Sequence, residues 1–279
     1  MKILFLNSID ADTYGGMEEW IRLVATGLNA RGHQITICGR KNSQFLKRLA
    51  VDDIRLELVG LDISGDFNPL TIASIKRIIE QRNVETVIVN FNKDIRLGGI
   101  AAKLADEVTV IWSVGLNITK DNLAHKILTP RLIHGVIVPS QALKNQITSL
   151  GHIRPEIVKV IPIGITKLAM PVSKEKARES LSKKFSLRAD STICVTCGRF
   201  VEQKGHKFLI DAASEIVTRH PHVVFLLLGD GPLRRKLEKR IADLKIENYF
   251  IFAGMVENVS ALLPGCDLMI HPSIEEPFG

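Results

Sequence analysis

The chain has 279 residues, 46% hydrophobic and 24% charged, enough for two globular domains each with its own core. Its net charge of +7 is spread along the sequence, which suits anionic ligands or an anionic membrane face. The sequence has no recognition-helix, zinc-finger or aromatic ribonucleoprotein pattern, so nucleic acid is set aside as a partner. It also lacks an apolar run near the roughly 20 residues of a membrane-spanning helix.

The N-terminus, MKILFLNSIDADTYGG, reads as a first β-strand and the loop after it, not as a signal peptide. That loop holds Asp10-Ala11-Asp12, a DxD that in other folds marks manganese. Here it precedes a helix start in a strand–helix alternation, and no metal is expected. It ends in Gly15-Gly16, where backbone amides at a helix start stand open to a phosphate or a sugar; a plain turn is the alternative. The following stretch places Met17, Trp20, Ile21, Val24 and Leu28 on one helical face, with Gly32 where a C-terminal cap belongs. HQITIC, IRLELV, ETVIVN, VTVIWS, GVIVP and IVKVIP follow as strands, with amphipathic stretches between them. Ser140 reads as the N-cap of QALKNQITSL. Alternation of this kind predicts a parallel sheet covered by helices on both faces, over residues 1–166.

Residues 167–190 are charged, hold one proline and read as an interdomain connection, with room for one helix of its own. The alternation then restarts over 191–279, with TICVTC, HVVFLLLG, YFIFAG and CDLMI as strands, the last of them buried. Cys194 and Cys197 have the CxxC spacing of metal and redox sites, but on a strand they point to opposite faces and cannot converge. The four cysteines read as buried free thiols of a reducing compartment. The histidines, His271 included, show no paired ligand spacing.

Nucleotide folds carry their chemistry at strand ends. GxGxxG is absent after the first strand, and the P-loop pattern GxxxxGK[ST] is absent throughout. In the second domain, TICVTC ends at Gly198-Arg199, and Lys204-Gly205 precede the next helix. HVVFLLLG ends in Gly229-Asp230-Gly231-Pro232, with the proline near a helix start. CDLMI runs out into HPSIEEPFG, with Glu275 and Glu276. Strand order 3-2-1-4 would put the first and fourth strands side by side at the switch point. Cations for a diphosphate and a carboxylate for hydroxyls would then share one edge; surface ion pairing is the competing explanation.

These residues carry a family resemblance. Gly15-Gly16, GVIVPSQALK, VKVIPIGI, GRFVEQKGHKFLIDAA, LLLGDGP and HPSIEEPFG together resemble family 4 glycosyltransferases with the two-domain GT-B architecture. The resemblance implies two doubly wound Rossmann-like α/β domains, the second incomplete. It implies transfer of a sugar from a nucleoside-diphosphate donor, with retention at the anomeric carbon. Arg199 and Lys204 should hold the diphosphate and stabilise the leaving group, and Glu276 should bind donor-sugar hydroxyls. Gly15, Gly16, Gly198, Gly229 and Gly231 should line the donor, with UDP first and GDP or ADP as alternatives. No cofactor or metal is required. The acceptor should be a saccharide or a lipid-linked one in envelope polysaccharide or lipopolysaccharide synthesis. Basic charge without a membrane span fits a cytoplasmic protein visiting the inner face of the membrane; Lys120, Lys126 and Arg131 are candidate contacts to anionic lipid, with a solvated helix face as the favoured alternative.

The sequence departs from the family pattern in three places. The second Glu of the family's E-x7-E would fall beyond Gly279. VIWSVGLN lacks a frequent first-domain His, with Ser113, Asn117 or Asp94 as substitutes. The usual PNG reads Pro162-Ile163-Gly164. The alternative function is a truncated, non-catalytic nucleotide-sugar-binding protein.

Overall fold

The structure is a computed structural model that describes residues 1–10, 14–51, 56–106, 108–115, 123–164, 172–256 and 258–276. These residues form two compact units, the first ending at Gly164 and the second at Glu276.

The first unit alternates strands and helices from its start. Its elements are β1 (Lys2–Asn7), α1 (Gly16–Asn29), β2 (Gln34–Arg40), α2 (Gln44–Val51) and β3 (Glu57–Leu61). Then come α3 (Pro69–Arg82), β4 (Thr86–Val89), α4 (Asn92–Leu104), β5 (Thr109–Ser113), α5 (Leu123–Leu132), β6 (Gly135–Val138), α6 (Gln141–Ser149) and β7 (Val158–Val160). The strands form one seven-stranded parallel sheet in the order β3-β2-β1-β4-β5-β6-β7.

Period-two alternation explains its two cores. Leu4 and Leu6 face α3 and α4, while Ile3 and Phe5 face α1 and α2. Each such side chain, fully removed from water, contributes about 1.5–3 kcal/mol. Local signals set the helix ends. Asn68 accepts the amides of Leu70 and Thr71 at 2.9 and 3.1 Å beside Pro69 at the first position of α3. Ser140 accepts the amide of Leu143 at 3.2 Å as the predicted cap of α6.

The second unit contains α7 (Lys174–Phe185), β8 (Thr192–Cys197), α8 (His206–Arg219), β9 (Val223–Leu228), α9 (Arg234–Asp243), β10 (Phe250–Gly254), α10 (Val259–Leu262) and β11 (Leu268–Met269). Its parallel sheet runs β10-β9-β8-β11, the 3-2-1-4 order expected of a doubly wound unit.

Two readings change here and one gains detail. Within the connection 167–190, residues 174–185 form the helix α7, which buries Ala177 and places Leu181 in the second core. Arg178 of α7 donates to Asp267 at 2.7 Å, and Asp267 also accepts the amide of Ile193 at 2.8 Å. The apolar run CDLMI is not a buried strand. Leu268 and Met269 are 57% and 56% exposed, because β11 pairs only with β8 among the described residues. Two of the four thiols, Cys38 and Cys194, are buried, while Cys197 and Cys266 are half-buried. Cys194 and Cys197 do lie in the cores on opposite faces of the sheet.

Candidate active site

The C-terminal edge of β8 gathers three loops of the second unit. Gly198 and Arg199 leave the strand, and fully buried Phe200 then pins the loop. Its amide donates to the Asp230 carbonyl at 3.0 Å, and its carbonyl accepts the amide of Leu233 at 3.1 Å. The loop after β9 is held close for a steric reason. Gly229 has φ +139°, and a Cβ there would stand 2.0 Å from the Gly198 carbonyl oxygen. At Gly231 a Cβ would stand 2.7 Å from both the amide nitrogen and the carbonyl oxygen of Phe200. Pro232 lies in the turn before α9 and not in the helix itself.

The loop after β11 is strapped to the turn 202–205. Ile274 donates its amide to the Gln203 carbonyl at 2.9 Å, and the Gln203 side chain donates to the Glu275 carbonyl at 2.9 Å. Gly205 has φ +64°, and a Cβ there would meet the Pro272 carbonyl oxygen at 2.0 Å. This strap brings Lys204 and Glu276 together as an ion pair, although 72 residues separate them. His271 Nε2 lies 3.0 Å from the same Glu276 oxygen, and Ser273 Oγ lies 3.3 Å from His271 Nε2. Sequence reasoning missed His271 and Ser273. The available signal was their place in HPSIEEPFG, between the strand and the carboxylate.

The electrostatics follow from that packing. Partial burial alone would push the Glu276 carboxyl up, but hydrogen bonds from Lys204, Ser273 and His271 outweigh it and hold it below the usual range. Glu276 is therefore ionised at neutral pH. His206, beneath the turn, is pushed down by burial first and by Lys204 and His271 after it. Its ring nitrogens have no hydrogen-bond partner among the described residues, and the ring packs edge-on against Phe200 at 4.9 Å. Arg199 stands exposed, with no ion pair among the described residues. The edge thus presents a free guanidinium, an ammonium shared with a carboxylate, and a carboxylate with accepting capacity. Such a set can take an anion and a hydroxyl together. An incoming anion competes with Glu276 for Lys204, and His271 remains to satisfy the carboxylate.

In the first unit, Gly15 and Gly16 lie at the start of α1 as expected. The amide of Gly15 is already spent on Glu18 Oε2 at 2.9 Å, so it is not open to a ligand. A Cβ on Gly16 would meet no described atom within 4 Å. Of the residues considered in place of the family His, Ser113 and Asp94 are buried and Asn117 lies outside the described residues. So do Lys120, Ala11 and Asp12 of the DxD, and Pro277 to Gly279. Asp10 lies 3.8 Å from Arg40.

The chain is similar to known proteins in sequence and in fold. Residues 14–167, more than half the chain, match the family model described as Glycosyltransferase Family 4, and 177–279 match Glycosyl transferases group 1. An uncharacterized glycosyltransferase of Methanocaldococcus jannaschii, MJ1607, is 28% identical over 147 residues, covering 52% of this chain and 37% of its own. The lipopolysaccharide core biosynthesis glycosyltransferase LpsE of Rhizobium meliloti is 38% identical over 96 residues, 34% of this chain and 27% of its own. The chain thus spans about a third of the length of these curated relatives. Among solved structures, Anabaena Alr3699/HepE in complex with UDP-glucose superposes with a TM-score of 0.84 at 25% identity, covering 100% of this chain and 76% of that one.

Proposed function

The chain belongs to Glycosyltransferase Family 4, and on that premise we propose that it moves a sugar from a nucleoside-diphosphate donor to a saccharide or lipid-linked acceptor, with retention. The bond between the anomeric carbon and the diphosphate oxygen breaks, the nucleoside diphosphate leaves, and an acceptor oxygen takes its place on the same face. The observation that carries this reading is the Arg199, Lys204 and Glu276 cluster on one strand edge. Arg199 and Lys204 neutralise charge growing on the leaving diphosphate without a metal, a preorganised electrostatic role. Glu276 accepts hydroxyls of the donor sugar. UDP-glucose in the complex of a similar protein makes a UDP-sugar the first donor to try, and the match to LpsE favours an envelope saccharide as acceptor.

No helix among the described residues is long and apolar enough to cross a membrane. Exposed Leu123 and Ile127 on α5, beside Lys126 and Arg131, support peripheral contact with anionic lipid at the cytoplasmic face. Absence of sedimentation with anionic vesicles at low salt would remove that part of the reading.

The central test is calorimetry with UDP-, GDP- and ADP-sugars alongside an assay for released nucleotide. Turnover is expected with one of them, and Lys204→Ala should lower it about 100-fold, the usual scale for losing one preorganised electrostatic contact. Binding without release would favour a non-catalytic nucleotide-sugar-binding protein. No binding to any donor would sink both readings.

A further inference from the structure

Within the second unit, a groove of about 370 Å³ opens between the turn 201–207 and α9. Arg199, Lys204 and Glu276 are not among the residues that line it, so it is separate from the strand edge described above. Its volume falls in the usual range of small-molecule pockets, about 300–1,000 Å³.

The lining has two characters. Val201, Leu233 and Leu237 supply apolar surface. Lys207, Lys236, Lys239 and Arg240 supply cations, against the carboxylates of Glu202 and Asp243. Both carboxylates are already answered: Glu202 lies 3.8 Å from Lys207, and Asp243 acts on Arg240. Arg240 also pairs with Asp211. Lys236 and Lys239 are exposed and have no ion pair among the described residues.

This charge arrangement works against the helix that carries it. The cap residue of α9, Leu233, makes no side-chain cap bond, and the first turn holds Arg234, Arg235 and Lys236 with no acid. Arg234 is satisfied by Asp230 and Glu238 at 3.0 and 2.8 Å. Arg235 and Lys236 are left at the positive end of the helix dipole. Lys236 also meets like charge three and four residues on, at Lys239 and Arg240, where opposite charge would stabilise. An anion held among these groups removes both penalties. The groove includes His206 as well, 3% exposed, whose ring nitrogens have no hydrogen-bond partner among the described residues.

We propose that this groove is a binding site for a soluble phosphate monoester. Lys236 and Lys239 hold the phosphate, and Val201, Leu233 and Leu237 lie under the body of the molecule. A phosphate monoester carries close to two negative charges at neutral pH, which matches two unpaired ammonium groups. The apolar strip selects an ester over bare phosphate, which would leave that strip uncovered. The site does not depend on the donor reading.

Calorimetry on the full chain with inorganic phosphate and phenyl phosphate tests it. Phenyl phosphate should bind the wild type about tenfold more tightly than inorganic phosphate, through burial of its ring. Lys236→Gln combined with Lys239→Gln should weaken phenyl phosphate at least about tenfold, the scale of losing charge-assisted contacts. Arginine at both positions keeps the charge and should retain affinity to within about threefold. Lys204→Ala, at the strand edge, should leave it within about twofold. Because the glutamine pair relieves like-charge crowding, that variant should melt at or above the wild-type temperature. No binding of phenyl phosphate, equal affinity for the two compounds, or binding lost in Lys204→Ala and kept in the glutamine pair would each overturn the proposal. A glutamine pair that melts lower and binds unchanged would assign the lysines to structure and overturn it too. So would a protein that ignores the soluble ester but sediments with anionic vesicles until the lysines are replaced, since the patch would then meet lipid headgroups.

Discussion

The two units each bring a glycine and a carboxylate to the end of a strand, and they hold them in opposite ways. In the second unit, Gly205 is glycine because its own chain demands it, with a left-handed backbone and a carbonyl oxygen where a side chain would start. In the first unit, Gly16 has ordinary helical geometry and open space around it. The carboxylates reverse the pattern. Glu18 and Asp94 are sealed in and bonded mainly to backbone amides and an Asn side chain, partners that no solute can displace. Glu276 is part-exposed and bonded to Lys204 and His271, side chains that a ligand can draw away. The first unit thus offers carboxylates committed to its own backbone, and the second offers exchangeable charges.

Breaking that contrast at its strictest point should have the largest effect. Gly205→Ala places a Cβ against the Pro272 carbonyl and in a left-handed conformation, so the strap that carries residues 271–276 must shift. A loss of roughly 2–4 kcal/mol is expected from the combined backbone conflict, along with the Lys204–Glu276 contact. Calorimetry should show a lower melting temperature and lost nucleotide-sugar binding. A variant that melts like the wild type with binding intact would mean that the strap does not build the site.

Acid should separate the two units next. Burial, only partly offset by hydrogen bonds from Ser8, Phe91 and Asn90, raises Asp94 to about 6 from its ordinary 3.8. Between pH 4 and pH 6 the unfolded chain has given up this proton while the folded one retains it, so stability falls as pH rises. The stabilisation is fully present below about 4 and is lost by about 6, some 3 kcal/mol in all. Asp94→Asn should remove that slope from the melting temperature measured across this window. Glu276 has the opposite sign: its carboxyl is held below the usual range, so its contribution is present at neutral pH and lost as pH falls through its lowered value. A wild-type slope that survives Asp94→Asn would place the titrating group elsewhere.

Much of this contrast was legible in the residues, but unevenly. The alternation of apolar strands with amphipathic stretches carries the two sheets, and the 3-2-1-4 order follows from the same pattern. Because β8 and β11 are neighbours in that order, Lys204 and Glu276 pair across the two loops that leave them, and Arg199 lies on the loop that leaves β8. The burial of CDLMI was misread because a short apolar run looks the same in a central strand and at a sheet edge. Glu18 was invisible for a different reason. A Glu in the first turn of an amphipathic helix reads as solvated, whereas in the fold it is buried and bonded to the Asn7 side chain and the Gly15 amide. His271 was set aside because its partner is a carboxylate five residues on, which no metal-ligand spacing would flag.

The smallest change sharpens the comparison most. Gly16→Ala adds one methyl group at a helical position where no described atom lies within 4 Å. Replacing glycine by alanine in compatible helical geometry should stabilise the fold by about 0.5 kcal/mol, chiefly by restricting the unfolded chain. If Gly16 is glycine for the sake of an approaching ligand, the same methyl group should cost activity, about tenfold in kcat/KM for the nucleotide-sugar, the scale of a small misplacement at the reacting centre. Stability and activity would then move in opposite directions in one variant, whereas Gly205→Ala lowers both. A Gly16→Ala protein that gains stability and keeps full activity would show that the open side of the turn receives nothing, and the role of the first unit would have to be sought elsewhere along its sheet edge.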